Sequence, residues 1–311
     1  MTIRFAFAIA ITLLTAQFAF AHRVLLQGKG KLAIVAADGS IEWEMKWGGI
    51  HDVHVLPNGN IMVQERNRKI VEIDKASKKV IWTYDCTTMN GNAGKKLEAH
   101  AFQPLANGHI MIAESGIGRI IEIDRAGKIH HEIKMTVDKP HPHRDTRLAR
   151  KLANGNYLVC HEGDGAVREY DSTGKVLWEF RIPLFDKPRK GGHGLEAWGN
   201  QVFGAVRLPN GNTLIAAGNG HSVLEVNPAK EIVWQLKQND LPDIRFAWVT
   251  TLEVLPNGNY VIGNCHAGPG NPLLVEIEPK SKKVVWTLDR FDTFGNSVPN
   301  SQLLDVKGAI R

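Results

Sequence analysis

The chain has 311 residues, 43% of them hydrophobic, with 38 Lys and Arg against 32 Asp and Glu and a formal charge of +6. It is long enough to bury a large core. The basic excess is spread over turn lysines (Lys78-Lys79, Lys95-Lys96, Lys282-Lys283) and not gathered into a basic patch with interleaved aromatics, which excludes a nucleic-acid module.

Residues 1–21 read as a secretory signal peptide. Arg4 gives the positive start, Phe5 to Ala16 the apolar stretch, and Ala19-Phe-Ala21 a small-residue cleavage site. The apolar stretch is too short to span a bilayer, and no other candidate follows. A mature protein starting at His22 is therefore expected, periplasmic or secreted, with a single domain over 22–311 and no transmembrane segment.

Residues 23–46 hold three short strand-like runs, at 24–26, 32–35 and 41–43. A phrase of the form Leu-Pro-Asn-Gly-Asn then recurs from Leu56, Leu105, Leu152, Leu208 and Leu255, with Ala for Pro at the second and third and His109 closing the second. Its first Asn falls at 58, 107, 154, 210 and 257, giving intervals of 49, 47, 56 and 47 residues. Asn-Gly between apolar runs is the strongest short hairpin signal, because both residues tolerate positive φ. A third run follows each hairpin (70–73, 120–123, 167–170, 223–226, 274–277). After a polar turn comes a fourth, ending on Trp82, Trp178, Trp234 or Trp286. Four short strands in about 47 residues make one propeller blade.

The first blade lacks an opening strand, and residues 301–306 supply a lone one. The prediction is an all-β, six-bladed β-propeller of four-stranded blades, in which N- and C-terminal strands share one blade and leave no open edge. One Trp per blade at a fixed offset implies packing between blades; the third blade carries His130-His131 instead. Three cysteines allow at most one disulfide. Cys160 and Cys265 take the same place in blades that are not neighbours, and the cysteines read as buried structural residues.

Strands alternate in direction, so the starts of first strands and the ends of second strands lie on the face opposite the hairpins. His51, His100, His141, His143, His161, His193, His221 and His266 all map there. The residue five before each hairpin Leu is His51, His100, Arg147, Phe203 and Thr250, so two histidines and an arginine should meet near the axis. Candidate catalytic groups are His51, His100, Arg147 and His193. Candidate ligand-binding groups are Asp52, Glu65, Glu114, His143, His161, His221 and His266. Such a set suits an anion, a metal ion or proton movement. The connections 86–99, 137–146 and 182–201 reach the same face and are long enough to shape a site.

Two resemblances follow from these residues. Asp171-Ser-Thr-Gly-Lys-Val-Leu-Trp178 resembles the repeat of pyrroloquinoline-quinone-type propellers, which implies the fold. Quinone-using dehydrogenases of that family have eight blades and adjacent cysteines under the cofactor. This chain has neither, so pyrroloquinoline quinone is not expected and any cofactor stays unknown. The segment His51-Asp-Val-His-Val-Leu-Pro-Asn-Gly-Asn60 is similar to the first-strand phrase of arylsulfotransferase-like propellers. That resemblance implies sulfate held by channel histidines and an arginine, with one histidine transiently sulfated; His51, His100 and Arg147 hold comparable positions.

Four functions follow as expectations. The first is binding of a small molecule or glycan in the His/Arg pocket, with the reaction unassigned. The second is sulfuryl transfer through a channel histidine. The third is a metal-dependent lyase or hydrolase using His51, His100, His193 and His161 as ligands. The fourth is an envelope assembly scaffold with a protein partner.

Overall fold

The computed structural model describes residues 22–311, and the expected signal peptide lies outside them. Each repeated phrase closes a hairpin in the same way. Leu56 O accepts from Gly59 N at 2.8 Å, and Asn58 Oδ1 accepts from Asn60 N at 3.0 Å. Gly59 sits at φ 85°, and its equivalents Gly108, Gly155, Gly211 and Gly258 lie at 85–88°. Only the glycine enters the left-handed region, where a side chain would be strained. Each Asn serves instead as a side-chain acceptor inside the turn.

The hairpins join strands into six four-stranded antiparallel sheets, so the protein is a six-bladed β-propeller. The first blade orders its strands as Ser301–Leu303, Val24–Gly28, Lys31–Val35 and Ile41–Lys46. Val24 pairs with Leu303 and Leu26 with Ser301, so the chain's two ends close the ring. The core lies between blades and not on the axis. One apolar cluster joins blades two and three around Phe102 and Ile112, and another joins blades five and six around Phe246 and Ile262. Burying a side chain of that size stabilises by about 1.5–3 kcal/mol.

The outer-strand tryptophans tie each blade to the next. Trp43, Trp82, Trp178 and Trp234 donate their indole N–H to the carbonyls of Lys75, Arg125, Pro228 and Pro279, at 2.8–3.2 Å. Where the third blade lacks its Trp, His131 stacks on Tyr157 of the fourth. A second tie starts from the last Asn of each phrase. Asn60, Asn156, Asn212 and Asn259 donate to Glu72, Glu169, Glu225 and Glu276 on the third strands, at 2.6–2.7 Å. The other oxygen of each carboxylate accepts from the next blade: Arg125, Arg207, Tyr260 and His22 respectively. A buried carboxylate is stable only when satisfied in this manner.

The axis is polar. Arg150 grips Asp52 with two hydrogen bonds of 2.6 and 2.9 Å, and Asn300 and the backbone N–H of Phe102 complete the carboxylate's shell. Burial alone would raise the Asp52 pKa, but Arg150 and His54 beside it hold it well below the usual carboxylate range. Near the hairpin face, Ile310 pairs with Val254, and Arg311 donates to the carbonyls of Ser301 and Val53.

Candidate functional site

On the face opposite the hairpins, a cavity of about 430 Å³ opens at the end of the channel. Each blade delivers its side chains by a different device. His51 precedes the inner strand Val53–Val55, held by Gln64 Oε1, which accepts the backbone N–H of both His51 and Asp52. Arg66 and Asn67 form a two-residue turn with both φ positive, at 52° and 55°. Asparagine suits that conformation and arginine does not, so the turn holds Arg66 at the rim at some cost. His266, at φ 63°, is a second such residue. His100 falls in a register shift of the inner strand Glu98–Pro104, between Ala99 and Ala101, and a bulge of this kind re-aims a side chain.

Of the residues expected in the site, His51, His143, Arg147, His193 and His266 line this cavity. His100 is fully buried just behind, its ring 4.4 Å from that of His51 and 5.1 Å from that of His143. The others lie elsewhere. Asp52 is in the axial pair with Arg150. Glu65 pairs with Lys69 at the surface. Glu114 is buried under Arg119 and Asn92. His161 is enclosed between Asp145 O and the Tyr170 hydroxyl, and His221 between the carbonyls of Ala197 and Ala247. Phe203, expected at the inner-strand position, lines the cavity too, as do Arg66 and Asn67 beside Glu65, and Trp248 is the addition. Trp248 is recognisable in the sequence as a Trp off the repeated outer-strand position. Glu98, which bridges His100 and His143, is marked only by standing two residues before a channel histidine.

The lining contains two arginines and four histidines but no carboxylate. Arg147 gives its Nε–H to buried Glu162, and its Nη1 lies 3.3 Å from His51 Nε2 and 3.2 Å from His100 Nδ1. Among the described residues its Nη2 has no hydrogen-bond partner, although Arg147 is 5% exposed. Burial, reinforced by His100 and Arg147, pushes the His51 imidazole well below its ordinary pKa. Burial and neighbouring His193 lower that of His266. Asn67 Oδ1 lies 3.2 Å from His51 Nδ1 and turns its amide nitrogen to Glu98. That network assigns the His51 proton to Nδ1 and leaves Nε2 with a lone pair toward Arg147. His193 packs on Trp248 at 4.5 Å between ring centres, making an aromatic wall. Cys265 also lines the cavity, but burial raises its thiol to about 11, and it stays protonated. All three cysteines are free and buried. The nearby donor atoms of Glu98, His100 and His143 lie within 4.8 Å of one another and form the one group suited to a metal ion among the described residues.

Fold and repeat together define a PQQ-like β-propeller. The chain belongs to the family described as outer membrane protein assembly factor BamB, whose pattern matches residues 28–288. A comparison with curated proteins finds no match. Among solved structures, it is similar to a protein of unknown function from Bacteroides caccae, with a TM-score of 0.74 and 23% identity over 94% of this chain and 99% of that one. It is also similar to virginiamycin B lyase from Staphylococcus aureus with quinupristin, with a TM-score of 0.56 and 14% identity over 94% and 97%. These likenesses show the fold. No helix of the described residues is long and apolar enough to cross a membrane.

Proposed function

We propose that this propeller, periplasmic or secreted, binds a small acidic molecule or acidic glycan in the His/Arg cavity. The observation that carries the reading is the lining: Arg66, Arg147 and four histidines converge on a concavity that no carboxylate enters. Arg147 offers an unpartnered guanidinium nitrogen from a buried position, where an ion pair is screened less than in water. Phe203 and Trp248 supply an apolar wall for a ring, and the volume suits a small molecule.

Quenching of tryptophan fluorescence tests it, with sulfated and carboxylated sugars and aryl acids set against their neutral counterparts. Acidic ligands should saturate the signal, and Arg66→Ser with Arg147→Lys should weaken them at least tenfold. Equal binding of neutral analogues, or unchanged affinity in both variants, would refute the reading.

Two other readings each have one observation in their favour. The His51 Nε2 lone pair beside Arg147 suits a nucleophile facing a sulfuryl group; turnover of an aryl sulfate that His51→Gln abolishes would select it. The family's description as an outer-membrane assembly factor favours docking of envelope partners. Lower levels of outer-membrane proteins in cells lacking this chain, restored by an Arg147→Lys copy, would select that reading over ligand binding.

A further inference from the structure

The rim of the cavity holds an arrangement that the anion-binding reading does not use. His100 Nδ1 lies 2.9 Å from the carbonyl oxygen of Thr146, which has no other donor among the described residues. That oxygen can only accept and so draws a proton to Nδ1, whereas Arg147 Nη1, 3.2 Å from the same nitrogen, can only donate; in either case Nε2 points the other way. It points at Glu98 Oε2, 2.6 Å distant, and that same oxygen is 2.8 Å from His143 Nδ1. One carboxylate oxygen thus lies at close range to nitrogens of two imidazoles, one of them fully buried. A proton on each imidazole satisfies that oxygen, and so does one metal ion placed among the three donor atoms, which lie within 4.8 Å of one another.

We propose that Glu98, His100 and His143, the last of which lines the cavity, hold a divalent transition-metal ion of the zinc type. Two imidazole nitrogens and one carboxylate oxygen are the donor set that such ions take with three protein ligands. Tetrahedral metal bonds of about 2.0–2.1 Å place donor atoms roughly 3.3 Å apart, so Glu98, now 2.6 and 2.8 Å from the two nitrogens, needs to withdraw by roughly half to three-quarters of an ångström. The supporting shell is in place. Thr146 O orients His100, and Asn67 Nδ2 holds Glu98 at 3.1 Å. Asp145, accepting the backbone N–H groups of His141 and Gly116, anchors the loop that carries His143. The charge of Arg147 behind His100 is matched by Glu162. The proposal does not depend on the anion reading: a metal ion could be held with no acidic ligand bound, and the reverse is equally true.

The test uses the full chain stripped with a chelator, then titrated with Co²⁺ while visible absorption is followed, with Zn²⁺ as competitor. One Co²⁺ per chain should bind, giving ligand-field bands that Zn²⁺ abolishes. His143→Ala, on a half-exposed loop, and Glu98→Gln should each weaken Co²⁺ at least tenfold. His109→Ala, in the stacked His109–His130 pair on the hairpin side, should bind as the parent does. Circular dichroism melting establishes that each variant is folded, and His143→Gln replaces His143→Ala if the latter is not. A folded parent with no saturable Co²⁺ spectrum, as when a shared proton fills the gap, overturns the proposal. So does unchanged Co²⁺ affinity in the folded His143 variant.

Discussion

The two faces of the propeller are built by opposite rules. On the hairpin face, five near-identical phrases make five near-identical turns, and each spends its side chains on its own blade or the next. On the other face no two connections are alike. There the groups are spent differently: an arginine nitrogen is left without a partner among the described residues, three non-glycine residues at positive φ line the cavity, and one glutamate oxygen is shared by two histidines. Repetition in this chain marks what holds the ring together, and departure from the repeat marks where chemistry is available. The contrast breaks if a hairpin-face substitution alters ligand or metal binding, or if a cavity substitution costs much stability.

The axial pair beneath both faces should give the largest effect. Arg150→Met leaves the Asp52 carboxylate buried and uncompensated, and should cost about 3–5 kcal/mol in urea unfolding. Next comes His161, which burial holds down to a pKa of about 4. Its folded pKa lies below the ordinary 6.5, so the unfolded chain takes up the proton first. The stability it contributes is present above about pH 6.5 and is lost as pH falls toward 4, up to about 3 kcal/mol. His161→Phe should flatten that limb of the pH–stability curve; an unchanged limb in this variant would show that other groups set it.

The blade clasps come third. Asn60→Ala, Asn156→Ala and Asn212→Ala each remove a hydrogen bond to a buried or half-buried carboxylate and should each cost about 2 kcal/mol, with Asn60→Ala additive to either of the others because its blade is not their neighbour. His109→Ala at the equivalent position of blade three should cost far less, because Glu122 is served by Lys151 and Tyr157 instead. Denaturation midpoints would settle the comparison; an equal loss at His109 would mean the turn itself, not the clasp, is what the phrase protects.

The repeat interval made the fold legible, because a hairpin signal at constant spacing leaves few architectures that close their sheet edges. The blade-closing strand at Ser301–Leu303 was legible for the same reason. The site was legible only as a face. Strand direction tells which end of the channel a residue reaches, but not which side of the sheet it turns to, and a shift of one residue reverses that. His51, Arg147, His193 and His266 meet in the cavity, while His161 and His221 map to the same rim yet point into blade interfaces and bond to backbone carbonyls. The bulge at His100 has no sequence signature, and it shifts the register of the strand that carries both Glu98 and His100. Glu98 on its own reads as an ordinary solvated strand residue.

Glu65 offers the smallest effect and the sharpest test of the contrast between faces. It ends the second strand of blade two on the cavity side, next to Arg66, and so shares the sequence neighbourhood of the site. Its carboxylate, however, lies 3.7 Å from Lys69 with both side chains at least 40% exposed, and such pairs are worth little in water. Glu65→Gln should change stability by less than about 0.5 kcal/mol and leave Co²⁺ affinity where it was. Removing a negative charge from the rim should strengthen an acidic ligand slightly, most of all at low salt. A large loss of affinity in this variant would mean that the ligand approaches from the rim and not along the axis, and the cavity would then have to be redrawn around Glu65 and Lys69.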